Sequence, residues 1–228
     1  MSHNTDSTTT EPQRPPKQTK NLHSLIAPIR NNNKLIIEGV RFPRGTLRHP
    51  DRYITTHDET TGKAIVDTSI PAKAPFYRLG DGKIKTGVEF AQCFITSAFP
   101  AELAGGADLA SYSSFLASPP GLVVNGGTVL RYVDMEPGHV SPMHRTLSMD
   151  YGIVIEGEVE LLLDSGDTRP MKRGDVCVQR ATMHAWRNLS STEWARMLFI
   201  LQPVQPFEVG GKMVEEDLGT MKGVKKSE

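Results

Sequence analysis

Apolar and polar residues alternate in short runs over the second half of the chain, and turn-forming residues separate the runs. From Gly127 onward the segments TVLRYVDM, MDYGIVIEG, EVELLLD, DVCVQR, HAWRN and ARMLFILQP are divided by PG, EG, DSG and RG, which predicts six short strands in about 75 residues. Strands this short and close together make an antiparallel sandwich or barrel, and the lack of an internal repeat makes it one barrel and not two. Upstream, RYITTHDETTGKAIVDT holds two β-branched stretches around HDETTG, which predicts a hairpin in an N-terminal sheet extension. A helix is predicted at about 107–117, with Asp108 capping its start, an apolar stripe of Leu109, Tyr112, Phe115 and Leu116, and a stop at Pro119 and Pro120. Residues 1–22 are rich in Ser, Thr, Pro and Gln and are expected to form a disordered tail. The expected organisation continues with an extension over 23–126 that packs on the barrel, the barrel itself over 127–210, and a solvated tail over 211–228 ending in KGVKKSE.

Composition narrows the partners. The 228 residues include 26 basic and 26 acidic ones, so no broad field attracts phosphate backbones or acidic lipids, and neither nucleic acid nor a membrane surface is expected as a partner. No apolar stretch approaches the roughly 20 residues that span a bilayer. Met1 is the one hydrophobic residue among the first twenty, so no export signal can be drawn there and a cytoplasmic location is expected. The two cysteines, Cys93 and Cys177, stand far apart in apolar contexts and supply neither a disulfide framework nor a zinc cluster.

The residues able to carry chemistry lie in PGHVSPMHRTLSMDYGIVIEG and RGDVCVQRATMHAWRN. Side chains alternate across a strand, so His144, Thr146 and Asp150 share one parity, and His184, Trp186 and Asn188 share another face. Two strands of a small barrel then direct His144, Asp150 and His184 into one interior. Imidazole titrates near neutrality and burial raises a carboxyl pKa, so these three form an acid/base set suited to dehydration, isomerisation or enolisation.

These stretches resemble the motifs of the cupin superfamily, a glycine, His-x-His, a glutamate and a closing glycine, followed by a second motif with one more histidine. Gly138 opens the first, His144 matches its first histidine, Asp150 stands at the glutamate and Gly157 closes it; Gly174 through Asn188 resembles the second, with His184 at the metal-binding histidine. The resemblance implies an all-β fold, a cupin-type antiparallel barrel (double-stranded β-helix or jelly roll) with an N-terminal strand extension and one or two short helices. Thr146 replaces the second histidine and Asp150 the longer glutamate, while Gln179 and Ala181 replace the usual Pro and Gly of the second motif. These departures favour no cofactor. The alternative is a single divalent metal, Fe, Mn or Zn, on His144, Asp150 and His184.

Over about residues 35–210 the wording is similar to a subgroup of fungal single-domain cupins of secondary metabolism, which includes the hetero-Diels-Alderases of tropolonic sesquiterpenoid biosynthesis. That likeness implies a dehydration to a quinone methide, a cycloaddition with a terpene-like alkene, or both, in an apolar pocket that takes a hydrophobic small molecule. A metal-dependent decarboxylase or dioxygenase, and a non-catalytic binding protein, are the competing expectations. Cupin-like barrels often pair through edge strands, and a homodimer is expected. Substrate contacts are expected from Arg131 or Tyr132, whichever faces inward, and from Met143, Thr146, Gln179 and Trp186. His139 is read as a solvated loop residue, and His3, His23, His49 and His57 receive no role.

Overall fold

The computed structural model describes Met1, residues 47–80 and residues 86–227. Residues 2–22 of the expected tail lie outside the described residues, as does the first part of the expected extension, and with them His3 and His23. Among the described residues there are thirteen strands and one α-helix: β1 (Thr55–His57), β2 (Ala64–Val66), β3 (Phe76–Arg78), β4 (Val88–Thr96), α1 (Ala107–Ala117), β5 (Thr128–Met135), β6 (Ser148–Glu156), β7 (Val159–Leu163), β8 (Thr168–Met171), β9 (Val176–Arg180), β10 (His184–Asn188), β11 (Ala195–Pro203), β12 (Glu208–Val209) and β13 (Lys212–Met213). Six strands in the order β3-β4-β5-β11-β6-β9 form the large sheet, and β10-β7-β8 form a smaller one, every pairing antiparallel. The arrangement is that of a jelly roll.

The core draws on both sheets. Val129, Met135, Val154, Met197, Phe199 and Leu201 from the large sheet pack with Val159, Met171 and Trp186 from the small one. Alternation sets which residues these are, because residues paired across antiparallel strands point to the same face. Gln92, Arg131 and Phe199 stand opposite one another in β4, β5 and β11 and face inward; Ala91, Tyr132 and Leu198 are the next row and face outward. Gly157 turns β6 into β7 at φ 80°, where a Cβ would also come 3.1 Å from the Ala195 side chain, so this turn needs glycine.

On the outer face of the large sheet lies a second kind of buried chemistry. Arg196 and Asp134 are cross-strand partners, and the guanidinium donates from Nε and Nη2 to the two carboxylate oxygens at 2.6 and 2.7 Å. Its Nη1 donates to the Arg48 carbonyl at 2.8 Å, and the rings of Phe76 and Tyr132 stand against it. The pair therefore ties β5, β11 and the stretch preceding β1 into one unit.

Three expectations are corrected. The hairpin is present as β1 and β2, but it forms its own two-stranded sheet; the strands that extend the large sheet are β3 and β4. β4 escapes alternation because it is buried on both faces through most of its length. The helix spans the predicted residues and buries Tyr112, yet Gly106 in a left-handed conformation occupies the N-cap, and Asp108 lies inside the first turn without capping it.

The segment expected as a solvated tail is built into the fold. Arg145 and Asp217 exchange backbone hydrogen bonds at 2.6 and 2.9 Å, and the Ser227 hydroxyl donates to Glu216 at 2.5 Å and accepts from the Val123 amide at 3.2 Å. Leu218, Met221 and Val224 pack on the core between these ties. Gly219 makes the crossing possible, since a Cβ there would lie 2.4 Å from the Met143 carbonyl oxygen. The polar composition of KGVKKSE conceals this because backbone groups make much of the attachment.

Candidate functional site

Between the sheets lies a cavity of about 260 Å³ with a predominantly apolar wall. Phe90 and Val88 come from β4, Arg131, Val133 and Met135 from β5, Phe199 and Leu201 from β11, and His184 and Trp186 from β10. His144 and Thr146 line it from the segment that enters β6 and Asp150 from β6 itself, and Thr220, Met221 and Lys222 of the C-terminal segment line it as well.

Backbone pairing brings the two histidines together. His144 and His184 exchange reciprocal N–H to carbonyl bonds, each 2.9 Å, and their ring centroids lie 4.2 Å apart. Each ring is then held at Nδ1. His144 Nδ1 stands 2.8 Å from the Pro142 carbonyl and His184 Nδ1 stands 2.9 Å from the Thr182 carbonyl. A carbonyl can only accept, so Nδ1 carries the proton in both rings, and in the neutral ring Nε2 keeps its lone pair. Burial pushes the His144 pKa below its usual value, and burial together with the His144 ring pushes His184 down to about 3. Both are neutral bases at physiological pH. Ala181, in the turn leading to His184, has φ 49°, a strained conformation for a residue with a Cβ.

Asp150 is 3% exposed. Thr146 Oγ1 donates to its Oδ2 at 3.1 Å, while its Oδ1 is buried without a hydrogen-bond partner. Burial raises the carboxyl to about 6, against the opposing pull of the Ser148 hydroxyl, which lies nearby without reaching hydrogen-bond geometry, the bonded Thr146 hydroxyl and the Arg131 charge. The group therefore exchanges a proton near neutrality, as a general acid requires.

The remaining expected residues divide. Of Arg131 and Tyr132, Arg131 faces the cavity; Tyr132 points to the opposite side of β5, where it stacks near Phe76 under Arg196. Met143 is half-buried outside the lining, its carbonyl passed closely by Gly219. Gln179 shares a face with its cross-strand partner Asp150, but its amide is drawn back to Thr182 in the adjoining turn and it does not line the cavity. Trp186 does line it, edge-on to His184 and Phe199.

His139 is a correction. Its ring lines the cavity with Nε2 buried and unpartnered, and burial lowers its pKa. Ser148, which the sequence reading passed over, is buried beside Asp150; it continues the parity of His144, Thr146 and Asp150, so the alternation held the signal. The lining residues of the C-terminal segment carried no comparable sign.

A family model described as "Cupin domain" matches residues 131–201. "Phomopsin biosynthesis cluster protein D" of Diaporthe leptostromiformis is 47% identical over 168 residues, covering 74% of this chain and 86% of that protein. The chain is a member of the cupin family. "Oryzines biosynthesis cluster protein J" of Aspergillus oryzae is 43% identical over 171 residues, covering 75% of this cupin and 92% of that protein. "Cupin-domain-containing oxidoreductase srdB" of Neurospora crassa is 41% identical over 181 residues, with 78% and 86% covered.

Cupin motifs are associated with a bound metal, and an ion needs several donors close together. Among the described residues no group of three His, Cys, Asp or Glu side chains is close enough to hold one. His144 and His184 present two suitable nitrogens, but the position of a further histidine is taken by Thr146, which directs its hydroxyl to Asp150. Two imidazoles fall short of the three protein ligands of a catalytic site. The described residues of this cupin, as arranged, do not fit the ion. Among the described residues, no helix is long and apolar enough to cross a membrane.

Proposed function

We propose that this cupin is a biosynthetic enzyme that dehydrates a compact, largely apolar small molecule by metal-independent proton transfer. One observation carries the reading: two imidazoles pinned at Nδ1 and a carboxyl with an unpartnered oxygen line the same apolar cavity. His144, less depressed than His184, is the base. Asp150 in its protonated form is the acid, and His184 accepts a hydrogen bond that orients the substrate. The occurrence of similar proteins in fungal biosynthesis clusters supports a small-molecule substrate.

For an ortho-hydroxymethyl phenol the steps balance. His144 Nε2 takes the phenolic proton, Asp150 gives its proton to the benzylic hydroxyl, the C–O bond breaks, and water and a quinone methide leave. The proton then returns from imidazolium to carboxylate. Thr146 keeps the carboxyl oriented, and the apolar wall slows addition of water to the methide.

Size favours the dehydration over cycloaddition as the reaction within the cavity. A cavity of about 150 Å³ takes benzene, and drug-sized ligands occupy roughly 300–1,000 Å³. The space here, about 260 Å³, suits one substituted ring better than a ring and a terpene together.

The probe is 2-hydroxybenzyl alcohol with a thiol as methide trap and the thioether measured by mass spectrometry, with and without a chelator. The expected result is chelator-resistant adduct formation above the uncatalysed rate. Four relatives bear the name "cupin-domain-containing oxidoreductase", so oxygen uptake is followed in parallel. Oxygen-consuming turnover abolished by the chelator would overturn the proposal, as would no adduct above background.

A further inference from the structure

We propose that Arg131 is a substrate-binding residue whose guanidinium receives an anionic oxygen, so that the preferred ligand is a compact ring bearing a carboxylate or phenolate. This rests on the cavity being the substrate site, as proposed above, and adds the charge of what enters it.

The large sheet holds two buried arginines, and the chain treats them differently. Arg196, 3% exposed on the outer face, is neutralised by two short bonds to Asp134. Arg131, 2% exposed on the inner face, forms no ion pair within 4.0 Å among the described residues. Its partners are neutral: Nε donates to Gln92 Oε1 at 3.1 Å, Nη2 donates to the Gly121 carbonyl at 2.9 Å, and the Phe90 ring lies 4.7 Å from the guanidinium carbon. Gln92 is fixed in turn, its Nε2 donating to the Tyr77 hydroxyl at 3.0 Å, so its carbonyl oxygen is the atom turned to the arginine.

These contacts orient the guanidinium without cancelling its charge. Nη1 makes no hydrogen bond to the described residues, and Nη2 has a second proton, so the end of the fork is left for a ligand. Arginine stays ionised in proteins, and an uncompensated buried charge is costly unless something pairs with it. Asp150 influences Arg131 across the cavity but makes no ion pair with it, and in its acid form it offers no counter-charge. A ligand oxygen carrying negative charge supplies what the protein withholds, and low dielectric strengthens that contact. In the dehydration, the same guanidinium faces the charge that develops when a phenolic proton is removed.

Binding is measured by calorimetry and tryptophan fluorescence on the full chain at about pH 5, where both probe acids are ionised and Asp150 keeps its proton. Benzoate is compared with benzamide, and 2,4-dinitrophenolate with 1,3-dinitrobenzene, so the two anion sources are separated. The expected result is that at least one anion binds about tenfold or more tightly than its neutral counterpart, that R131M removes the preference, and that R131K keeps part of it. Equal binding within both pairs by the wild-type protein would overturn the inference, as would a preference undiminished in R131M. The wild-type comparison decides alone if R131M does not fold. No turnover is read, so equal binding by the wild-type protein with intact dehydration rejects this inference only, and anion preference without dehydration rejects the reaction only.

Discussion

Replacing Asp150 with asparagine lowers turnover of the dehydrated substrate by about 10²- to 10⁴-fold, the range that a positioned acid contributes. Asparagine keeps the shape and can still meet the Thr146 hydroxyl, but it has no acidic proton for the leaving oxygen. Wild-type turnover falls as pH rises through about 6, where Asp150 ionises, while the residual rate of D150N is flat there. On the acid side, His144 stays neutral below its usual 6.5 because burial disfavours its charge, so the active window lies in mildly acidic solution. A D150N rate within about threefold of wild type, with the same pH profile, would assign the acid to another group.

Stability follows the protonations of Asp150 and His184 in opposite senses. The folded Asp150 pKa of about 6 lies above its ordinary 3.8, so the native state retains a proton that the unfolded chain has released. Its contribution is full below the lower value and is lost as pH rises through the higher. His184 is the reverse: held near 3 against an ordinary 6.5, it contributes above 6.5 and loses that contribution as pH falls toward 3.

The second large effect lies away from the cavity. Asp134→Asn destabilises the fold by about 3–5 kcal/mol, because the Arg196 charge is left buried without its counter-ion. At roughly 2–4 °C per kcal/mol for a domain of this size, the midpoint of thermal unfolding drops by about 6–20 °C. The double replacement Asp134→Leu with Arg196→Met recovers much of the loss, because no charge then needs compensation. Calorimetric unfolding of the three proteins measures this, and a D134N loss below about 1 kcal/mol would mean that the sheet admits water at the pair.

How far these features were legible depends on what each residue's role rests on. Alternation identified β5, β10 and β11 to the residue, and it placed His144, Thr146, Asp150 and His184 on the cavity. It left Arg131 and Tyr132 open because one strand does not reveal which of its faces meets the core; pairing with β4 and β11 resolves them. β8 was missed since Thr168–Met171 is mostly exposed at a sheet edge and contains Pro170, as edge strands tolerate. Gln179 shows the limit of parity: a side chain can occupy the right face and still be claimed by a neighbouring turn.

The C-terminal segment gives the chamber a wall under different constraints from the rest. Strand residues of the cavity also hold the ladders and core, so exchanging them disturbs both. Thr220, Met221 and Lys222 sit between attachments at Asp217 and Ser227, outside every strand. A change in this short wall would therefore alter the shape of molecule admitted while leaving the backbone ladders around His144, Asp150 and Arg131 in place.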